Sequence, residues 1–223
     1  MIVVVLIFMI ILVWYFKLNL YFTDRNVWYY HLGDIYYSAG EYSKALQYAK
    51  KAVHNGYENP EVHRLLVKTY LRIRKFDEAK EELTSSKGLN GSSFYYREMG
   101  KIMRIQGMLN ESLYYHKKGV EEFPFSKYAV GSFLDLGLTY LELNETENAL
   151  IYLNKSKVLV EQFSQSDFLN KNGLLGQIHM GLGYVYQIKG LHQKAEEEFK
   201  IVNSFKLHKI QYISILSPNY EDH

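Results

Sequence analysis

Hydrophobic positions recur in a fixed register along this chain of 223 residues. Each copy has a large apolar residue directly before a marker position and a tyrosine or methionine three residues after it. The five markers are Gly33, Val67, Gly100, Gly137 and Gly183. Residues at these spacings lie on one face of a helix, so the pattern predicts amphipathic helices that bury one stripe.

Each copy of the pattern predicts two helices joined by a short turn. Seven residues after the marker, every copy except the second, which has Arg74, carries glycine or asparagine. These residues readily adopt the left-handed conformation in which helices often end. A small residue twelve positions after the marker would let the second helix pack closely: Ala45, Ala79, Ser112, Ala149 and Ala195. Since one hairpin cannot bury its apolar face alone, we expect five stacked hairpins in an all-α solenoid.

This register resembles the tetratricopeptide repeat (TPR) family. The markers Gly33, Val67 and Gly100 are separated by 34 and 33 residues, close to the family period of about 34. Trp28 and Tyr29 at the head of the first copy add to the resemblance, which covers roughly residues 26–205. It implies a right-handed superhelix whose first helices form a concave groove that binds other proteins.

The chain is expected to have three parts. Residues 1–22 form a hydrophobic anchor helix, residues 23–205 the solenoid, and residues 206–223 a closing helix and tail. The predicted repeats span residues 26–59, 60–92, 93–126, 127–165 and 166–205. The wider spacing of the last two markers predicts longer helices or an added loop in that half.

The N-terminal segment is strongly apolar. Residues 2–16 contain no charged or amide side chain, and a second apolar run follows Lys17 and Asn19. About 20 helical residues span about 30 Å, the thickness of a bilayer core. We therefore expect residues 2–22 to contact the lipid bilayer as a single-pass anchor. A cleaved signal peptide and a buried segment that caps the solenoid are alternatives. Positive charges follow the run and none precedes it, which favours repeats on the cytoplasmic side of the membrane.

Composition and motifs argue against several functions. The chain has 26 basic and 24 acidic residues, a balance that argues against a nucleic-acid partner. It has no cysteine, which excludes disulfides and thiolate metal sites. No two histidines have the helical spacing of metal ligands, and no phosphate-binding loop or nucleophile motif is present. We expect no catalytic residue, metal or cofactor. His63 and His179 stand where other copies have Tyr29 and Phe133, which indicates a packing role.

A second face of the first helices is predicted to bind a partner. Residues three before, one after, and four or five after the marker share this face. The predicted groove residues are Tyr30, Asp34, Tyr37, Arg64, Lys68, Arg72, Arg97, Lys101, Arg104, Leu138 and Tyr184. The face carries six cations without matching acids of its own in the second and third copies. This indicates a partner protein or peptide with an acidic segment, and a generic solvated groove is the alternative.

Two functions fit this pattern. The first is a membrane-tethered scaffold that holds a partner segment in the groove. The second is a regulator in which a bound peptide changes the superhelix and releases or recruits a partner. One TPR subclass binds a C-terminal carboxylate through an asparagine directly after the first marker. Here that residue is Asp34, which argues against this role.

Overall fold

The computed structural model describes residues 25–86, 88–167 and 171–205. Within these residues the chain is helical and contains no strand, so the predicted all-α repeat fold is confirmed. The helices are α1 (25–38), α2 (Tyr42–His54), α3 (Pro60–Arg72), α4 (Phe76–Ser85), α5 (Ser93–Ile105), α6 (Leu109–Glu122), α7 (Lys127–Glu142), α8 (Thr146–Glu161), a short 3-10 helix (Gln165–Asp167), α9 (Lys171–Ile188) and α10 (His192–Ser204).

The chain divides into two compact units, the first ending at Asn90 and the second beginning at Gly91. The first unit contains the hairpins α1/α2 and α3/α4. The second contains α5/α6, α7/α8 and α9/α10. In the second unit α7 packs on both helices of the preceding hairpin, and α9 does the same one hairpin later. Helices α7, α8 and α9 have 16, 16 and 18 residues, so the longer helices expected in this half are present.

First and second helices begin in different ways. Three first helices have a side-chain cap: Asn59 accepts from the Glu61 amide, and Ser92 and Ser126 make equivalent bonds at α5 and α7. The second helices α2, α4, α6, α8 and α10 have no side-chain cap. Each of them follows directly on a left-handed turn, so backbone geometry rather than a cap residue sets its start.

These turns lie seven residues after each marker, as predicted for every copy except the second. Their φ angles are positive at Gly40 (79°), Arg74 (59°), Gly107 (77°), Asn144 (60°) and Gly190 (72°). The turn at Arg74 is closed by the Lys75 amide donating to the Tyr70 carbonyl at 2.8 Å, and the turn at Gly40 by the equivalent bond at 2.9 Å. The second hairpin therefore turns as the first does, although it lacks glycine.

Replacing Arg74 with glycine is expected to stabilise the protein by about 0.5–1 kcal/mol. The left-handed conformation costs a residue with a Cβ roughly 1–2 kcal/mol, and the greater backbone freedom of unfolded glycine offsets part of the gain. The urea midpoint of unfolding measures the effect. Asn144→Gly is the matched control, and its effect should be smaller because asparagine tolerates this conformation. A lower midpoint for Arg74→Gly would contradict the assignment of strain to this turn.

The marker glycines allow the two helices of a hairpin to approach closely. A Cβ atom at position 137 would lie 2.6 Å from Leu153 Cγ, and one at position 183 would overlap the Phe199 ring. Leu153 is fully buried in the core of the second unit, together with Leu136 and Ile178. A side chain at the marker would therefore push the second helix away from this core.

No helix in the described residues is long and apolar enough to cross a membrane. The longest, α9, has 18 residues and includes lysine, asparagine, glutamine and histidine. This finding contradicts the predicted localisation, a single-pass membrane protein with its repeats on the cytoplasmic side. The predicted anchor (1–22) and the predicted closing helix and tail (206–223) lie outside the described residues.

Candidate protein-binding surface

The first unit brings together the predicted groove residues of its two hairpins. Arg72 Nε on α3 donates to the Tyr37 hydroxyl on α1 at 3.4 Å. The Tyr37 ring also contacts Tyr42 edge-on at 5.6 Å between centroids, and Tyr30 packs on Tyr57 at 5.8 Å. We call this side of the unit the α1–α3 surface; it consists of Tyr30, Asp34, Tyr37, Arg64, Lys68 and Arg72.

Charge on the α1–α3 surface is partly compensated from the same helices. Arg64 forms an ion pair with Glu61 one turn earlier, and the Arg64 side chain is 22% exposed. Burial raises the pKa of Tyr30, and the nearby carboxylates of Asp34 and Glu61 raise it further. Asp34 and Arg72 are exposed, and Lys68 is half-buried. The surface therefore combines tyrosine rings with both signs of charge, and cations are in slight excess.

The second unit places its predicted cations beside carboxylates. Arg97 NH1 donates to Glu98 Oε1 at 2.7 Å, and Arg97 Nε lies 3.7 Å from Asp135 Oδ2. Lys101 Nζ is 3.4 Å from Glu98 Oε2. Glu98 and Asp135 are 2% and 4% exposed. Burial lowers the pKa of Arg97, but Glu98 and Asp135 outweigh it, so that its pKa is raised overall and the guanidinium stays charged.

Arg104 completes this arrangement, which we call the buried ionic network: Arg97, Glu98, Lys101, Arg104, Asp135 and Glu142. Arg104 NH1 donates to Glu142 Oε1 at 2.6 Å, and NH2 lies 4.0 Å from Asp135 Oδ1. Three cations thus meet three carboxylates. The assumption that the groove cations lack matching acids is wrong here. Glu98 and Asp135 lie two residues before their markers, on a face that the groove pattern does not include.

His116 interacts electrostatically with Asp135, Arg97, Arg104 and Glu98 of the buried ionic network. The sequence motifs did not single out this residue. His116 is fully buried, and neither ring nitrogen has a hydrogen-bond partner. Burial lowers its pKa to about 4; Asp135 opposes this change and Arg97 adds to it. The ring is therefore neutral at pH 7. A signal was present in the sequence: sixteen residues after the marker the other copies have Ala49, Leu83, Leu153 and Phe199, all apolar.

His63 and His179 each bond to a carboxylate on the second helix of their own hairpin. His63 Nδ1 is 2.5 Å from Glu82 Oε1, and His179 Nδ1 pairs in the same way with Glu198. Two other hairpins fill these positions with stacked rings: Tyr29 on Tyr48 at 6.2 Å and Phe133 on Tyr152 at 6.3 Å. The predicted packing role of both histidines is confirmed. Across the described residues, no three histidine or carboxylate side chains are grouped to hold a metal ion.

Two predicted groove residues lie in other environments. Leu138 is only 2% exposed, because α9 covers it where Gly181 brings that helix close. A partner could reach Leu138 only by displacing α9, so it is not part of an accessible surface. Tyr184 is half-buried, with its ring edge-on to Phe199 at 5.6 Å between centroids. Its exposed part remains available for contact.

Sequence comparison identifies two of the hairpins directly. Residues 29–53 and 130–157 match the Tetratricopeptide repeat family, and they correspond to α1/α2 and α7/α8. A curated relative, BBSome complex member BBS4 of Bos taurus, is 27% identical over 117 residues. That alignment covers 52% of this chain and 22% of BBS4, so the chain matches about a fifth of the length of this relative.

Solved structures show the same fold. TTC0263, a thermophilic TPR protein of Thermus thermophilus, gives a TM-score of 0.65 at 19% identity, covering 86% of this chain and 98% of its own. Pseudomonas aeruginosa pilF gives 0.65 at 14% identity, covering 87% and 82%. Cut9–Hcn1, an APC/C hetero-tetramer, gives 0.75 at 14% identity, covering 89% and 37%.

The matched hairpins, the left-handed turn in every described hairpin and the shared fold agree with one another. Residues 29–53 and 130–157 match the Tetratricopeptide repeat family, and the chain resembles a solved TPR protein in fold.

Proposed function

We propose that this protein is a non-enzymatic scaffold that binds a partner protein on the α1–α3 surface. The observation that carries the proposal is the contact of Tyr37 with Arg72, which joins the faces of two successive first helices. Tyrosine and arginine are the side chains that most often supply binding energy at protein interfaces. Here they lie next to Tyr30 and Lys68 on the same surface.

The partner segment is expected to carry carboxylates next to apolar or aromatic side chains. Arg64, Lys68 and Arg72 provide three cations, against Asp34 and the carboxylate of Glu61. The α5 cations contribute less because their charges are matched within the buried ionic network; Lys101, 30% exposed, is the most accessible of them. The proposed acidic recognition therefore rests mainly on the first unit.

The relative BBS4 supports a role in an assembly, since it is named as a member of the BBSome complex. Tetratricopeptide repeats generally act as scaffolds, and the two matched segments include α1, which carries half of the α1–α3 surface. A preformed helical surface fits this role, because it binds without the entropic cost of ordering a loop.

Neutralising two cations of this surface is expected to weaken partner binding at least tenfold. The variant Lys68→Gln/Arg72→Gln removes two charges and the hydrogen bond to Tyr37, and a charge-assisted bond contributes about 1.5–3 kcal/mol. The probe is a set of peptides selected against the wild-type protein from a random displayed library, with affinities measured by fluorescence anisotropy. The selected peptides should be rich in aspartate and glutamate.

The matched control is Lys44→Gln/Lys80→Gln, which removes the same charge from the second helices of the same unit. It should retain wild-type affinity. Circular dichroism would establish that both variants are folded. Equal affinities for the two variants, or selected peptides without acidic residues, would refute binding at the α1–α3 surface.

A further inference from the structure

Helix α1 exposes an apolar stripe on the side away from the α1–α3 surface. Trp28 is 55% exposed and Ile35 is 61% exposed, and His31 between them is also exposed. These residues are spaced by three and four positions, so they lie on one face of the helix. Large apolar side chains at such exposure, aligned along one helix, mark a surface that another segment covers.

The repeat register shows what this stripe is. Relative to the marker Gly33, Trp28 lies five residues before, His31 two residues before and Ile35 two residues after. The equivalent positions in α3, α7 and α9 are buried without exception: Val62, Leu65, Thr69, Ser132, Asp135, Thr139, Ile178, Gly181 and Val185. The stripe is therefore the face that each of those first helices presents to the helices before it.

A preceding helix covers this face in α3, α7 and α9. Helix α3 packs on α2, α7 packs on α5 and α6, and α9 packs on α7 and α8. For α1, no preceding helix is present among the described residues. A segment that covers Trp28 and Ile35 would have to come from outside residues 25–86, 88–167 and 171–205.

We propose that the apolar run of residues 2–16 covers the α1 stripe. This run has fifteen consecutive apolar residues and precedes α1 directly in the sequence. Residues 17–24 supply a link of eight, within the range of about 2–8 residues that joins packed helices. Ile35 is ten residues into the described part of α1, or about 15 Å along its axis, a distance that the run can cover.

An apolar segment matches the α1 stripe better than a helix face with polar side chains would. Ser132, Asp135 and Thr139 show that α7 can present polar residues to its neighbours. Trp28 and Ile35 instead require an apolar cover on both sides of His31. Residues 2–16 carry no charged or amide side chain, and only Trp14 and Tyr15 among them have polar side-chain atoms, so covering Trp28 and Ile35 with this run desolvates few polar groups.

Cysteine cross-linking in the full chain tests this proposal, because the protein has no cysteine of its own. Ile35→Cys would be combined in turn with a cysteine at position 3, 6, 10 or 13 and treated with a short bis-maleimide. We expect a cross-link within one chain for at least one pair, mapped by mass spectrometry. Glu81→Cys, an exposed position on α4, replaces Ile35→Cys in the control and should give none.

Each other outcome overturns the proposal. Cross-links between two chains would show that a second copy covers the stripe. No cross-link, or equal yields with Glu81→Cys, would show that residues 2–16 lie elsewhere. These results are independent of peptide affinity on the α1–α3 surface, so the two proposals can fail separately.

Tryptophan fluorescence gives a second readout, since the chain has two tryptophans. In a Trp14→Phe background, Trp28 is the sole tryptophan and is excited selectively over tyrosine. Adding Leu6→Asp/Ile10→Asp should uncover it, with a red-shifted spectrum and at least a twofold increase in acrylamide quenching. Lys17→Asp, in the link, should leave both unchanged. Unaltered quenching of Trp28 in the double aspartate variant would contradict the proposed contact.

Discussion

Replacing Asp135 with alanine is expected to lower the free energy of unfolding by about 3–5 kcal/mol, the range for breaking a buried ion pair by removing one partner. Asp135 is 4% exposed and lies between Arg97 and Arg104. Both guanidinium groups keep one carboxylate, Glu98 or Glu142, so we expect the lower end of this range. Urea unfolding of the full chain measures the loss.

The matched control is Glu147→Ala in the same unit. Glu147 pairs with Lys189 but is 75% exposed, and exposed pairs contribute at most about 1 kcal/mol. Asp135→Asn, which preserves volume and one oxygen acceptor, should fall between the two variants. If Asp135→Ala costs no more than Glu147→Ala, the network does not stabilise the fold. The α5 cations would then be candidates for partner binding again.

Acid is expected to destabilise the protein by about 3 kcal/mol through His116 alone. Its pKa is about 4 in the folded chain, against an ordinary value of 6.5. Below pH 6.5 the unfolded chain therefore binds a proton that the folded chain excludes, and stability falls as the pH falls. The loss is complete near pH 4, and each pKa unit corresponds to about 1.4 kcal/mol. Above pH 6.5 His116 contributes no pH dependence to the stability of the protein.

The variant His116→Leu isolates this effect. Leucine occupies the equivalent position at Leu153, and it removes two buried nitrogens that lack hydrogen bonds. At pH 7 we expect a gain of about 1–2 kcal/mol, and the difference between wild type and variant should widen from pH 6.5 to pH 4. His192→Gln, at an exposed position, should keep the wild-type slope. An unchanged slope in His116→Leu would show that His116 is not the group that titrates.

The repeat register predicted the local structure well, because turn geometry and helix stripes depend on neighbouring residues. It located the left-handed turns at Gly40, Gly107, Asn144 and Gly190 but not the one at Arg74, where glycine and asparagine are absent. The backbone bond between Lys75 and Tyr70 at that turn matches its counterpart in the first hairpin. Hydrogen bonding of the chain, rather than the side chain at the turn, determines this geometry.

The binding face was harder to predict, because it depends on what each neighbouring helix covers. Tyr37 and Arg72 meet as their register implied. Leu138 belongs to the same predicted face but is buried by α9, since Gly181 allows a closer approach. The carboxylates of Glu98 and Asp135 occupy positions that are Leu65 and Gly181 in other copies. Periodicity defines such a position but not the chemistry that fills it.

The paired positions of His63 with Glu82 and of Phe133 with Tyr152 limit how this chain can evolve. A histidine placed opposite Tyr152 would lose the stacked ring. A phenylalanine opposite Glu82 would leave a mostly buried carboxylate, 18% exposed, with the Ser86 hydroxyl as its remaining donor. A single substitution that converts one member of either pair is thus expected to lower the stability of the hairpin. Whole hairpins can be duplicated or exchanged with their pair intact, whereas recombination within a hairpin separates the partners. Each pair thus lies within one hairpin, so that a whole hairpin carries both partners.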